Sequence, residues 1–407
     1  MNTSRKLKLF NDPIYGFITI PNALIFDLIE HSHFQRLRRI TQMGLSYLVY
    51  PGATHTRFHH ALGSMFLMQK AVQVLRFKGV SIHEEEENAL YIAILLHDIG
   101  HGPFSHAMEH SLVNGITHEE ISLFFMEELN KEFNGSLTLA IQIFKGDYHR
   151  DFMHQLISSQ IDMDRADYLK RDSFYTGTAE GNINSQRLIT MLAVVDDKLA
   201  IEEKGLYSVE KFLTARRLMY WEVYLHKTSL VAEQLLIRVL IRAKLLVKKN
   251  IYIEASNALL YFLKRDITQE VFSRETLMTF SQLDDFDVVS ALKNWQNHDD
   301  FVLNHLSSMI INRNLLKIKI KNKKIKSDLK EKHISQLIKK YNITREEAAY
   351  FVFQGKISNQ AYNPKLQEIQ LVTKPGKLTE IAKVSEHLNL KALSKPVTKY
   401  YICYPKE

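Results

Sequence analysis

Leu95-Leu96-His97-Asp98-Ile99-Gly100-His101-Gly102-Pro103-Phe104-Ser105-His106 decides how the rest of this chain is read. Residues 89–96 are apolar nearly all round, the pattern of a helix buried on every side. That helix runs straight into adjacent His and Asp and stops at Gly-His-Gly-Pro. Imidazole nitrogen and carboxylate oxygen are the ligands from which Mn, Fe, Mg or Zn sites are built. At the mouth of a rigid apolar helix, His97 and Asp98 have the fixed positions such a site needs. A helix cap beside a satisfied core histidine is the ordinary explanation of one His-Asp pair. It does not account for His101 and His106 coming directly after. Nor does it explain why nine of the 18 histidines fall between His55 and His118.

Two flanking segments extend the pattern. Upstream lies Pro51-Gly52-Ala53-Thr54-His55-Thr56-Arg57-Phe58-His59-His60. A helix starting near Thr56 sets Arg57 and His60 on one face at i, i+3. That face offers a neutral metal ligand and a permanent cation suited to phosphate; a surface Arg beside a capping His is the alternative. Downstream, Ile161-Asp162-Met163-Asp164-Arg165-Ala166-Asp167-Tyr168-Leu169-Lys170-Arg171-Asp172 places Asp164, Tyr168 and Asp172 on one helical face, with the other charges expected to face elsewhere. A solvated charged face is the usual reason for such a run. A Tyr between two Asp on one stripe is less usual. Farther on, Arg216, Tyr220, Tyr224 and Lys227 are spaced for one helical stripe, with His226 beside them. Cations interleaved with rings suit a phosphorylated, base-bearing ligand, although an amphipathic surface gives the same spacing.

Unaided, these residues describe metal-assisted hydrolysis of a phosphate ester. Arg57 would neutralise charge growing on the phosphates. A histidine would protonate the departing alkoxide. His106 is favoured for that task, with His118, oriented by Glu119, as the rival or as a phosphate contact; His101 could serve either step. His55, His59 and His110 receive no role.

Together the segments resemble the HD superfamily of metal-dependent phosphohydrolases, whose His … His-Asp … Asp ligands are matched by His60, His97, Asp98 and Asp164. The turn Asn11-Asp12-Pro13-Ile14-Tyr15-Gly16, Phe34-Gln35-Arg36-Leu37-Arg38, Tyr50-Pro51-Gly52-Ala53 and the segments above are similar, in order from about residue 8 to 310, to the deoxynucleoside triphosphate triphosphohydrolases. The resemblance implies a mainly α fold, an HD-domain helical core with a small hairpin. It implies hydrolysis of a dNTP to deoxynucleoside and inorganic triphosphate with a divalent metal ion, Mn or Mg in an assay. It places Tyr168 under the sugar, Asp172 and Gln42 at the sugar edge, and Arg216, Tyr220, Tyr224, His226 and Lys227 along triphosphate and base. A ring packed against C2′ would leave no space for a 2′ hydroxyl, a steric reason to prefer deoxy substrates.

The resemblance also implies a homo-oligomer, dimer or tetramer, activated allosterically by nucleotide. Gln35 and Arg38 match part of the regulatory site, while Glu30 stands where Asp is expected. His59 stands where Glu is frequent, Tyr220 where the nearest type has His, and Met43 where a smaller aliphatic is found. None of these departures removes a ligand or Arg57. Bare HD ligands also serve nucleoside monophosphatases and phosphodiesterases, and a nucleotide or nucleic-acid sensor with a vestigial site is a third class.

The rest of the chain bounds these readings. It has 407 residues with 45% hydrophobic and 24% charged content, the mix of an ordinary globular protein. One cysteine, Cys403, excludes an internal disulfide and a cysteine metal cluster. No secretory leader or membrane span is visible: the longest apolar run, residues 230–247, carries Glu233, Arg238, Arg242 and Lys244. A cytoplasmic location is expected. The spacing predicts a strand at 17–20, helices through 55–310 and a hairpin at 194–201. A small α+β C-terminal lobe extends from 311 to 407, with strands at 315–320, 348–353, 369–373 and 397–404 and helices at 327–341 and 378–388. The net charge of +8 suits an anionic partner. The basic run from Arg313 to Lys332 is read as a solvated face, a phosphate-binding subunit junction or a nucleic-acid patch. Its lack of aromatic residues from 312 to 340 argues against a stacking platform.

Overall fold

The computed structural model describes residues 8–109, 111–113, 115–373, 376–385 and 390–406. Strands β1 (Leu9–Asp12) and β2 (Gly16–Thr19) form an antiparallel hairpin, one strand more than expected. Its turn is closed by Asp12, whose Oδ1 accepts from the backbone N–H of Ile14 and of Tyr15, each at 2.9 Å. The core then rests on long helices. Helix α1 (Arg57–Phe77) starts at Thr56, where His59 closes a capping box. That is a local reason for the histidine found where Glu is frequent. Helix α2 (Glu84–Leu96) opens on four glutamates, which complement the positive end of its dipole.

Every residue of α2 from Ala89 to Leu96 is buried, as its unbroken apolar pattern predicted. Each large aliphatic side chain among them contributes about 1.5–3 kcal/mol of burial energy. The helix is therefore a fixed post for the His-Asp pair at its end. Helix α1 and the helix Thr138–Lys145 pack along the post, while α3 (His118–Glu132) meets its end and α4 (Met163–Thr176) packs on α1 and ends at Gly177 with φ 71°. The expected hairpin is β3 (Leu192–Val195) with β4 (Lys198–Glu202), joined by Asp196 and Asp197, both at positive φ as its tight turn requires.

Arg36 pins the core to its surroundings. Its side chain is fully buried and lies over the rings of Phe125 and Phe280. It donates to the carbonyl of Ile99 at 2.7 Å and to that of Leu283 at 3.1 Å.

Two expectations need correction. The stripe from Arg216 to Lys227 is not one helix. Helix α5 (Leu206–Met219) passes into a π-helical turn over Tyr220–Tyr224, and a new helix, α6 (Lys227–Lys248), begins at the cap His226. Nor do the C-terminal elements follow the expected order of strands and helices throughout. Strands β5 (Lys317–Lys321), β6 (Phe353–Asn359) and β9 (Val397–Tyr404) form an antiparallel sheet with β9 central. Strands β7 (Gln370–Val372) and β8 (Leu378–Glu380) instead extend the core hairpin, in the order β3-β4-β7-β8. Residues 348–352, expected as a strand, instead end the helix Arg345–Ala349, which Thr344 and Glu347 start with a capping box, and β6 begins only at Phe353. The helix expected at 378–388 is β8 and the short helix Ile381–Val384, its end falling outside the described residues. The helix α7 (Ser327–Tyr341) and the last strand fall where predicted. Among the described residues, no helix is long and apolar enough to cross a membrane.

Candidate metal centre and active site

Helix α2 ends at His97, and the chain leaves it through a tight turn held by Ser122 of α3. Its hydroxyl donates to the His97 carbonyl at 2.7 Å and accepts from the Gly100 N–H at 2.9 Å. Gly100 is required here. A Cβ would run into backbone atoms of His118, Ile121 and Ser122.

From α1, α2 and α4 three side chains converge. His60 Nε2 lies 3.1 Å and His97 Nε2 3.5 Å from Asp164 Oδ1. Asp98 lies 3.4 Å from His97 Nε2 and 3.7 Å from His60 Nε2. The other nitrogen of each imidazole is already engaged. His60 Nδ1 is 2.8 Å from Asp167 Oδ2, and His97 Nδ1 is 2.6 Å from the Ile94 carbonyl. Since both partners only accept, each Nδ1 carries a proton, and Nε2 is the nitrogen whose lone pair a cation would take. Both Nε2 atoms are buried without a hydrogen-bond partner. Buried orphans facing carboxylates are what a divalent cation would satisfy, so His60, His97, Asp98 and Asp164 fit a metal. Burial opposes charge on His60, yet the Asp164 and Asp167 carboxylates beside it hold its pKa up at about 10. The pocket favours a positive charge at that point.

Behind His60 stands a relay that sequence reasoning missed. Asp167 accepts from Arg171 Nε at 2.8 Å and Nη2 at 3.0 Å, and Arg171 Nη1 donates to Asp12 at 2.8 Å. Both Asp167 and Arg171 are fully buried, so the charges expected to face away from the Asp164 stripe include two turned inward. The signal was present in the Asn11–Gly16 turn, whose Asp12 anchors the far end.

Arg57 lies beside these candidate ligands. It donates from Nη1 to Asp98 at 2.5 Å, and from Nε and Nη2 to the Ser105 hydroxyl at 3.2 and 2.8 Å. Ser105 is a second missed residue. His101 Nε2 lies 3.3 Å from Asp98, and its ring stacks on His118 at 3.8 Å. Burial and the nearby Arg57 push the His101 pKa well down, so it is neutral. His118 lies 3.3 Å from Glu119. Asp98, His101 and His118 make a second group whose ligand atoms lie within 4.8 Å of one another. The side chain of His106 and all of His110 lie outside the described residues.

The substrate-side residues divide. Asp172 sits at 2.7 Å from both His55 Nε2 and the Tyr224 hydroxyl. His55 thus has a role the sequence did not reveal, and its ring stacks on Tyr175 at 4.3 Å. Tyr168 packs edge-on to Tyr224, which packs edge-on to Tyr220. Gln42 lies one residue beyond the Thr41–Thr56 bridge, and its Oε1 is buried without a partner. Arg216 donates to Gln160 at 3.3 Å. His226 and Lys227 instead line a groove of about 590 Å³ with Trp221, Asn322 and Lys399, between the core and the C-terminal sheet. Of the regulatory candidates, Arg38 donates to Gln35 at 2.8 Å and lies over Phe58, while Glu30 is exposed.

Comparison with known proteins agrees with this geometry. Residues 57–172 match the HD domain and residues 183–274 an HD-associated region. The uncharacterized protein YwfO of Bacillus subtilis is 31% identical over 98% of this chain and 92% of its own length. A crystal structure of a phosphohydrolase from Bacteroides thetaiotaomicron is 52% identical, with a TM-score of 0.95 over 98% of this chain and all of that one. The deoxynucleoside triphosphate triphosphohydrolase SAMHD1 homolog of Dictyostelium discoideum is 32% identical over 56% of this chain and 48% of its own length.

Proposed function

Because this chain belongs to the HD-domain family, we propose that it hydrolyses deoxynucleoside triphosphates to deoxynucleoside and inorganic triphosphate. What carries the reading is one helix, α4, with a candidate metal ligand near one end and the Asp172 carboxylate, held by His55 and Tyr224, toward the other. Asp164 and Asp172 are eight residues apart, about 12 Å along the axis. Tyr168 lies between them. The name of the Dictyostelium relative points to the same substrate class.

His60, His97, Asp98 and Asp164 would hold the ion, Mn or Mg in an assay. When bound, a divalent ion supplies Lewis acidity at the phosphoryl oxygen and lowers the pKa of water toward ~7. Arg57, fixed between Asp98 and Ser105, offers its cation to the growing phosphate charge. Water adds at the α-phosphorus, the bond to O5′ breaks, and O5′ takes up a proton. A neutral, buried His101 is a poor donor of that proton, which leaves His106 and His118. Asp172 and Gln42 would orient the sugar, and Tyr168 would close the space a 2′ hydroxyl needs. Arg216, Tyr220 and Tyr224 would line the base and phosphates. Gln35 and Arg38, together on the surface, keep an activating nucleotide and a homo-oligomer within the proposal.

The test is product analysis after incubation with each dNTP and NTP, singly and in pairs, with Mn²⁺ or Mg²⁺. Deoxynucleoside plus triphosphate, absent in Asp98→Ala, is the expected result. Monophosphate or orthophosphate as first product would replace it with a monophosphatase or phosphodiesterase, and activity only in mixtures would add the regulatory site.

A further inference from the structure

Asp285 lies beyond residues 57–172 and 183–274, the stretches that match the HD domain and its associated region. It is 4% exposed, and its carboxylate is used completely. Oδ2 accepts from the Thr41 N–H at 2.8 Å and from the Thr41 hydroxyl at 2.6 Å. Oδ1 accepts from the Phe104 N–H at 3.0 Å. These two segments are far apart in sequence, and each bears on the active site.

Phe104 and Ser105 have φ of 49° and 34°, a left-handed backbone that L residues adopt only under constraint. The constraint places the Ser105 hydroxyl under the Arg57 guanidinium, where it accepts from Nε and Nη2 and leaves Nη1 for Asp98. Thr41 forms a bridge with Thr56, the cap of α1, and the next residue, Gln42, bonds through its N–H to the His55 carbonyl at 3.0 Å. Asp285 is itself anchored. It begins the helix Asp285–Trp295, whose cap, Asp284, is paired with Arg39.

We propose that Asp285 is a positioning residue, tying the Thr41–Gln42 and Phe104–Ser105 segments together so that Gln42 and, through Ser105, Arg57 face the metal cluster. The proposal rests on the site being hydrolytic, but not on its substrate being a dNTP. Of the residues proposed to hold the metal, His60, His97 and Asp164 lie on or at the end of helices that Asp285 does not touch, so metal content can be read apart from transition-state placement.

Asp285→Asn is the informative variant. It keeps the shape but turns one acceptor into a donor, so either the Thr41 or the Phe104 contact must break. Thr41→Val removes the 2.6 Å hydroxyl contact to Asp285, together with a long 3.5 Å contact to the Gly44 carbonyl, and it decides the matter should the Asn variant fail to fold. The full-length parent and both variants would be assayed on dNTPs and on bis(p-nitrophenyl) phosphate, a phosphodiester probe indifferent to base and sugar. Metal content and amide exchange over residues 40–44 and 102–106 would be measured in parallel.

The expected result for Asp285→Asn is a fall in kcat of tenfold or more, unchanged metal per chain, and faster exchange confined to those two segments; Thr41→Val falls less. Turnover within twofold of the parent, or activity lost only in proportion to metal, would overturn the proposal. A parent active on the diester but not on dNTPs would sink the dNTP reading and leave this one to be judged on the diester. A parent active on neither leaves the exchange data to decide: unchanged protection of both segments would overturn the clamp.

Discussion

Asp167 shows how much one buried residue can contribute without touching substrate. It fixes the His60 tautomer through a 2.8 Å contact. Asp167→Asn should therefore weaken Mn²⁺ binding by roughly 10–100-fold with the fold retained. Titration calorimetry with a circular dichroism control would show this, and unaltered affinity would remove the relay from the account. Asp285 gives a pH signature. Burial pushes its carboxyl up, the Thr41 and Phe104 donors offset this only in part, and its pKa stands at about 6. The unfolded value is about 3.9. The folded state therefore holds a proton between these values that the unfolded state lacks. The resulting stability is complete below about pH 4 and is lost as pH rises through 6. Denaturant melts of Asp285→Asn minus parent should shift in favour of the variant by up to roughly 3 kcal/mol across that window. A flat difference would show that Asp285 titrates normally. Third, His118→Ala should lower kcat by about 10²–10⁴ if His118 is the donor to O5′; a change under threefold would transfer that role to His106. The candidate ligands stood out in the sequence because metal binding dictates residue type. Their supports did not. Asp167 and Arg171 look like a solvated charge run, and the partner of Thr41 lies 244 residues away.

At the scale of elements, close approach governs the site. Gly100→Ala would drive a Cβ into backbone atoms of α3, which cannot rotate aside as a side chain would. A destabilisation of about 1–3 kcal/mol is expected. Displacement of the His101–His118 stack should also cost activity beyond what the lost stability explains. Thermal melts set beside turnover at a temperature where the variant is folded would distinguish the two effects. Helix α2 was read from an unbroken apolar run of eight residues, a pattern shared with a buried strand, and the structure decides for the helix. The π turn at Tyr220–Tyr224 was not legible, since a 3.6-residue period cannot announce where it fails. There the extra residue per turn leaves Tyr224 on Asp172 but moves His226 and Lys227 to a different groove. In the C-terminal lobe, short strands carry too little pattern to announce themselves or their partners, so β8 was read as a helix and the pairing of β7 with the core hairpin went unforeseen.

For the whole molecule, the charge of +8 is distributed unevenly. The register of the C-terminal sheet aligns Lys321, Tyr400 and Lys356 in one cross-strand row, with both lysines exposed. The aromatic residue missing from the basic run in sequence is thus supplied by another strand. Lys321→Glu with Lys356→Glu should elute from heparin at lower salt while turnover is unchanged. Elution at the parent's position would mean that this face is only solvated.

Arg36 has a consequence for how such a catalytic unit can be moved or inherited. Its guanidinium joins the carbonyl of Ile99, inside the metal loop, to that of Leu283, more than a hundred residues beyond the last ligand. A fragment cut at residues 57–172 would carry every metal ligand away with it. Left behind would be Arg36, Leu283 and Asp285, which hold the loop in register. Transplanted into another scaffold, the fragment would be a set of ligands without an aim. Recombination can therefore exchange this centre only as the whole span from the first hairpin to the helix Asp285–Trp295.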